Sequence, residues 1–321
     1  MPQRIIRLLG GKDEFVSGEK ISSELGITRT AVWKKIKLLR KDGFIIKAVP
    51  SRGYKLIKTP DLSTDDILAH VKGVFWKDVV FYHTVDSTNE TASALSLRSD
   101  IQSGTVIVAD AQTKGRGRLG RTWVSPPGMN IYMSIILRPE IRPGDATLLT
   151  VLAAVACANA LREQSGLHVS LKWPNDLVVS DKKTGGILTE VRSDPDRIHV
   201  AIIGIGINVN CESRDFPDDI RPIATSLKVE TGKYQARSGL IIRILEEFEA
   251  WYKALEGRGR RPLLEEWKRL SSTLNRNVKV TMGKETISGL AEDIDEEGML
   301  IVRLSSGTRK RISAGDLTIL R

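Results

Sequence analysis

No apolar run in this 321-residue chain approaches the roughly 20 residues that a membrane-crossing helix needs. Its opening MPQR leads into no signal-peptide core, so the expectation is a cytoplasmic protein with no membrane partner. Cysteine is scarce: Cys157 and Cys211 stand apart, with no CxxC and no nearby His to complete a metal set. Both are expected as small buried side chains in a reducing compartment, and no structural metal is expected. A Walker A loop is missing as well, since no Gly-Lys is followed by Ser or Thr at the required spacing. What remains is ordinary globular material, 41% hydrophobic and 27% charged, enough for a real core.

Positive charge is the one excess, and it is local. Residues 1–60 hold 14 Lys and Arg against 5 Asp and Glu, which leaves only +1 of the net +10 for the other 261 residues. Such asymmetry points to nucleic-acid phosphates. The pattern agrees. Ile5, Ile6, Leu8 and Leu9 form an apolar face ended by Gly10-Gly11; Ser17 caps a helix that ends at Gly26; Thr28 caps another over 29–42 with Val32, Ile36 and Leu39 inward. This is helix-turn-helix spacing, and "GFIIKAVPSRGYKLI" reads as the two strands of a wing. Arg29, Thr30, Trp33 and Lys34 are expected at base edges, with Lys35, Lys37 and Arg52 on phosphates. Trp33 is ambiguous, because a lone Trp in a small helical unit is commonly core. A protein-docking module is the alternative use. Thr59-Pro60 marks the boundary.

"GRGRLGR", 115–121, carries the GxGxxG spacing of a dinucleotide fingerprint, and Glu140 lies where a ribose-binding acid is sought. The strand before it is present in "GTVIVAD". The helix after it is not, because Pro126-Pro127-Gly128 breaks the chain and 130–137 reads as a second strand. A strand–loop–strand with three arginines is no Rossmann turn; it is expected to be an anion-handling lid. Downstream, a long apolar helix at 144–166 precedes a strand through Lys172, a break at Trp173-Pro174-Asn175, a strand at 176–180, a turn at 181–184 and a strand from Gly185. "RIHVAIIGIGINVN" is one more strand, ending in Asn208 and Asn210. Lys172, Asn175, Asp176 and Lys183 therefore fall on neighbouring loops, where lysines would face a polyphosphate and Asp176 and Asn208 a ribose hydroxyl or Mg²⁺. Spacing alone reaches a nucleotide-dependent transferase. The last third holds an amphipathic helix at 238–257 and a second from Pro262. From 277 the period becomes two, a small SH3-like β-barrel.

"DSTN" at 86–89, "GRGRLGR", "KWPND", "KKTGGIL" and "IGIGINVN", in that order, resemble the biotin protein ligases, and the winged helix in front resembles their bifunctional ligase/repressor type. The resemblance covers essentially the whole chain. It implies an α+β fold with a winged helix-turn-helix at 1–60, a mixed-sheet catalytic domain of the biotin/lipoate ligase type at 61–270 and the SH3-like domain at 271–321. It also implies a two-step reaction: biotin and MgATP give biotinyl-5′-AMP, and a lysine of the biotin carboxyl carrier protein of acetyl-CoA carboxylase then takes the biotinyl group. Carried over by motif, Ser87, Thr88, Asn89, Gln112, Arg116, Gly117 and Gly186 border biotin. Lys183 and Arg118 act on the carboxylate and α-phosphate, and Arg121, Trp123, Lys172, Asn175, Asp176 and Asn208 surround the adenylate, with Mg²⁺ near the last two. The adenylate would be corepressor, the chain would dimerise on binding it, and operator DNA of biotin genes would be the target. Leu119 stands where a repressor-type member has a further arginine. A monofunctional ligase with a vestigial head, a biotin-sensing transcription factor without ligase activity, and a lipoate-type ligase are the alternatives.

Overall fold

A computed structural model describes residues 2–10, 14–41, 44–58, 61–71 and 75–320; Gly11 and the Thr59-Pro60 boundary lie outside them. By compactness the chain divides into two units, Met1–Lys72 with Ala236–Ile242, and Gly73–Gln235 with Arg243–Arg321.

The first unit holds α1 (Pro2–Gly10), α2 (Gly18–Leu25), α3 (Arg29–Lys41), β1 (Ile45–Val49), β2 (Gly53–Lys58) and α4 (Thr64–His70). Ser17 Oγ accepts from the Lys20 N–H at 3.1 Å, and Gly26 ends α2 in the left-handed region at φ +63°. Thr28 Oγ1 accepts from the Ala31 N–H at 3.2 Å and opens α3. Val32, Ile36 and Leu39 pack with Ile5, Ile6, Leu9, Ile21, Phe44 and Ile46 into one apolar cluster. β1 and β2 form an antiparallel wing. Gly53 is required at its turn, because a Cβ there would lie 2.1 Å from the Val16 carbonyl oxygen.

The second unit opens with β3 (Asp78–Val85), α5 (Thr88–Leu95), β4 (Thr105–Gln112), β5 (Ile131–Leu137), α6 (Thr147–Ser165), β6 (Ser170–Lys172), β7 (Asp176–Val179), β8 (Lys182–Ser193) and β9 (Ile198–Ile207). The strands make one mixed sheet in the order β3-β4-β5-β9-β8-β7-β6, in which β3 and β4 are parallel and every other pair antiparallel. β5, apolar apart from Ser134, is buried along its whole length, as a central strand requires. α5 packs on β4, β5 and β9, while α6 packs on β6 to β9.

Contrary to the expectation from the sequence, one helical segment, Pro143–Ser165, is long and apolar enough to cross a bilayer by length and composition. It is 72% buried inside the fold, and Leu148, Val155 and Leu161 show why its apolar faces are needed there. The turn before β8 is also tighter than expected. Ser180 and Asp181 both take positive φ, 51° and 62°, so two residues complete the hairpin and Lys183 lies in the strand instead of a turn.

α7 (Leu227–Thr231) and α8 (Arg237–Arg258) follow, then α9 (Arg261–Leu270), which buries Leu263, Leu264, Trp267 and Leu270. Last come β10 (Asn277–Met282), β11 (Glu285–Ile294), β12 (Leu300–Arg303), β13 (Arg309–Ile312) and β14 (Asp316–Ile319), antiparallel in the order β13-β12-β11-β10-β14.

Candidate functional site

A cavity of about 560 Å³ opens in the second unit, within the range of small-molecule sites. Every ligand residue expected of the central domain lines it. α5 brings its start: Ser87, Thr88 and Asn89 are all buried. Thr88 donates its N–H to Gln112 Oε1 at 2.8 Å, and Gln112 Nε2 donates to Ser125 Oγ at 2.8 Å. Gln112 ends β4, so these bonds tie the start of α5 to the chain on both sides of the loop.

The loop itself keeps close backbone contact. Gly117 N–H donates to the Arg121 carbonyl at 2.7 Å, and Trp123 N–H to the Gly115 carbonyl at 2.8 Å. A Cβ at Gly115 would sit 2.3 Å from the Trp123 carbonyl oxygen, which is why glycine stands there. The three arginines divide their partners. Arg116 pairs with Glu90 and Glu190 at 3.2 and 3.1 Å. Arg118 Nη1 donates to Asn175 Oδ1 at 3.2 Å, and Arg121 pairs with Asp316 at 2.5 Å. Burial lowers the Arg118 pKa, opposed by the nearby carboxylates Asp176 and Asp316.

"KWPND" forms the β6–β7 connection, with a cis Trp173–Pro174 peptide. Trp173 is buried and fixed from the C-terminal sheet side: its N–H donates to Thr273 Oγ1 at 2.9 Å and its indole to the Gly298 carbonyl at 3.3 Å. Asn175 Nδ2 donates to the Ile187 carbonyl at 2.7 Å, which turns its oxygen toward Arg118. Asp176 holds Lys183 Nζ at 2.6 Å, and the same ammonium lies 5.5 Å from the centre of the Trp123 ring. Gly186 faces it, leaving only 3.3 Å between a built Cβ and the Lys183 chain. Asn208 is buried and donates to the Thr225 carbonyl at 3.1 Å; Lys172 lines the wall.

Three contributions were not anticipated. Gly204 and Gly206 let α5 and Trp123 lie directly on β9, since a Cβ would come within 2.2 Å of Asn89 Oδ1 and 2.7 Å of Trp123 Cε2 respectively. The alternating glycines of "IGIGINVN" were the available signal, because glycine inside a strand marks close approach. Gly315–Thr318 of the C-terminal sheet also lines the cavity, and Asp316 reaches Arg121. Nothing local marks that segment. Glu190, between Asn89 and Arg116, carries no motif either.

Both thiols are buried, Cys211 on the cavity wall. Burial pushes Cys211 up to about 11 and Cys157 further in the same direction. Among the described residues no group of three or more His, Cys, Asp or Glu is arranged to hold a metal.

On the first unit, Arg29, Thr30, Trp33, Lys34 and Lys37 are exposed on α3, Lys35 is half-buried, and Arg52 is exposed on the wing. Trp33 is 53% exposed with Lys37 Nζ 5.5 Å from its ring centre, so it belongs to the helix surface and not to the core. Arg52 stacks its guanidinium 4.9 Å from the Phe15 ring centre.

Comparison with known proteins covers the chain. A Biotin/lipoate A/B protein ligase family profile matches residues 80–208, an HTH domain profile residues 3–55, and a Biotin protein ligase C terminal domain profile residues 273–317. The Bifunctional ligase/repressor BirA of Bacillus subtilis (strain 168) is 42% identical over 304 residues, 94% of this chain and 93% of that one. The protein of the same name from Escherichia coli (strain K12) is 32% identical over 99% of this chain and 97% of its own. The structure of biotin protein ligase from Aquifex aeolicus in complex with biotin and ATP superposes with a TM-score of 0.66 at 31% identity, covering 77% of this chain and all of that one.

Proposed function

This chain belongs to the biotin protein ligase family, and from that premise we propose that it makes biotinyl-5′-AMP from biotin and ATP, biotinylates a carrier-protein lysine and represses biotin genes. The convergence of Lys183, Arg118 and the 115–121 loop on one cavity carries the reading.

In the first step a biotin carboxylate oxygen attacks the α-phosphorus and pyrophosphate leaves. Negative charge concentrates at that phosphorus, so fixed cations are the chemistry it needs. Lys183, held by Asp176 at 2.6 Å, and the half-buried Arg118 supply them. The biotin carboxylate is already ionised at neutral pH and needs no base. The ureido ring suits Thr88 and Gln112, whose amide keeps a second hydrogen beyond the one given to Ser125. The buried indole of Trp123 packs against Gly206 of β9, and its N–H meets no acceptor among the described residues. In the second step an unprotonated carrier-lysine amine attacks the acyl carbon, AMP leaves and an amide forms. A loop closed over the anhydride keeps water from taking the amine's place.

Mg²⁺ comes with ATP on this reading. Because the described residues offer no metal cluster, phosphate oxygens and water would be its principal ligands, with Asp176 and Asn208 nearby, and no step is assigned to it. The carrier is the biotin carboxyl carrier protein of acetyl-CoA carboxylase, and the chain works in the cytoplasm. For repression, the exposed basic face of α3 enters the major groove of operator DNA, and biotinyl-5′-AMP acts as corepressor by favouring a homodimer whose two heads span two half-sites.

Biotin-dependent exchange of radiolabelled pyrophosphate into ATP tests the ligase reading. Exchange is expected with biotin and not with lipoate; exchange that ignores biotin, or prefers lipoate, would refute it.

A further inference from the structure

The 115–121 loop is tied to the cavity floor by a chain of side chains whose charged link the reaction chemistry does not explain. It begins at Ser134 of β5, which is fully buried and lies 2.7 Å from Asn89 Oδ1 and 2.8 Å from Thr88 Oγ1. Serine has one hydrogen, and Asn89 Oδ1 can only accept, so that hydrogen belongs to Asn89; the Thr88 hydroxyl, with one hydrogen of its own, lies between Ser134 Oγ and Gln112 Oε1 at 3.2 Å. Asn89 then uses both amide hydrogens on the protein, on the Leu188 carbonyl at 3.1 Å and on Glu190 Oε2 at 2.8 Å. The other oxygen of Glu190 accepts from Arg116 Nη2 at 3.1 Å. Ser134, Asn89, Glu190 and Arg116 thus form an unbroken line from the interior of the sheet to the loop. Glu90, one residue along α5, takes Arg116 Nη1 at 3.2 Å.

We infer that Glu190 is a positioning residue for the ligase reaction: it fixes Arg116, and with it the glycine–arginine loop, over the biotin end of the cavity, and so sets how firmly biotin and biotinyl-5′-AMP are retained. The inference rests on the ligase reading. An exposed Arg–Glu pair alone would do little. Here one carboxylate oxygen is anchored on a buried amide while the other holds the loop, so position is transmitted from a rigid element to a less regular one. Arg116, flanked by two carboxylates, therefore serves the loop's geometry, and new negative charge falls to Lys183, by exchange with Asp176, and to Arg118, whose partner Asn175 is neutral.

Glu190→Gln in the full-length protein keeps the size and an acceptor oxygen but removes the charge. It is expected to raise the biotin KM in pyrophosphate exchange and speed release of preformed biotinyl-5′-AMP by about tenfold each, with kcat for exchange within about twofold. In an Arg116→Gln background the same substitution is expected to add less than about twofold, because the residue it acts through is gone. Release unchanged in Glu190→Gln, or its full effect persisting without Arg116, would overturn the inference. Should Glu190→Gln fail to fold, Glu190→Asp, too short to span Asn89 and Arg116 together, takes its place. It should release the adenylate at least about threefold faster, and native-like release would overturn the inference. Absence of biotin-dependent exchange in the native protein would instead refute the ligase reading.

Discussion

Gly204→Ala isolates how α5 is seated on the sheet. The added methyl would lie 2.2 Å from Asn89 Oδ1, where ordinary contact begins at 3.4 Å, so the amide must retreat by about 1.2 Å. It has nowhere to go cheaply. Asn89 is 3% exposed and bonded at 3.1, 2.8 and 2.7 Å to Leu188, Glu190 and Ser134, and a shift of that size breaks all three. A buried polar group left unpaired costs about 1–3 kcal/mol. Two or three such losses sum to roughly 2–9 kcal/mol, against a total stability of about 5–15 kcal/mol for a domain. Because Asn89 follows Thr88, the end of the cavity proposed to hold biotin is displaced together with it. Urea unfolding of Gly204→Ala should lose that amount, and the biotin KM should rise. Gly239→Ala, in α8 with nothing within 4 Å of the new methyl, is the control and should gain about 0.5–1 kcal/mol. A Gly204→Ala protein within about 1 kcal/mol of native would refute the wedged placement of Asn89.

Lys183→Met should lower pyrophosphate exchange by about a hundred- to a thousandfold while changing stability by less than about 1 kcal/mol, since the pair with Asp176 is partly exposed; residual exchange above a tenth would remove Lys183 from the reacting phosphate. Arg118→Gly should still form biotinyl-5′-AMP but release it into solution, and tight retention in a rapid-filtration assay would contradict a closing loop. Lys37→Ala and Arg52→Ala should each weaken operator binding and reduce its salt slope by about one; binding that ignores salt would take α3 and the wing off the phosphates. Cys211 has a folded-state value raised to about 11 from an ordinary 9.0, so its contribution is intact below pH 9 and is lost as pH rises toward 11. Native Cys211 should accordingly resist iodoacetamide at pH 8, and rapid labelling there would show the thiol is not buried.

Legibility followed the range of the interactions. The winged head was readable because Ser17, Gly26 and Thr28 cap within three or four residues of themselves, and the spacing of Val32, Ile36 and Leu39 needs only one helix. The Rossmann reading could be dismissed because Pro126-Pro127 denies the helix locally. Trp33 was undecidable, since exposure depends on what packs across from it. Lys183 was assigned to a turn because two adjacent positive-φ residues, neither of them glycine, shortened the hairpin unannounced. The long helix at 147–165 is apolar on most faces because a sheet and α9 both cover it, a fact about neighbours distant in sequence. Asp316 and Glu190 were out of reach for the same reason: they meet Arg121 and Arg116 across 195 and 74 residues, and neither sits in a motif.

Those distant carboxylates change what the loop's arginines mean. Read from the sequence, Arg116, Arg118 and Arg121 are three free positive charges awaiting a phosphate. In the fold, Glu90 and Glu190 neutralise the first, Asp316 the third and Asp176 the neighbouring Lys183, while Arg118 finds a neutral amide in Asn175. With Lys172, Asp181 and Asp215 also on the cavity wall, five cations stand against six carboxylates, and the site carries little net field to attract an anion from afar. Its specificity must come at contact, where a phosphate can exchange places with a carboxylate that already holds the cation's geometry. Arg118 stands apart in this count. It is the one guanidinium of the loop whose direct partner is uncharged, its charged form is disfavoured by burial, and an arriving α-phosphate would relieve that penalty without displacing any ion pair.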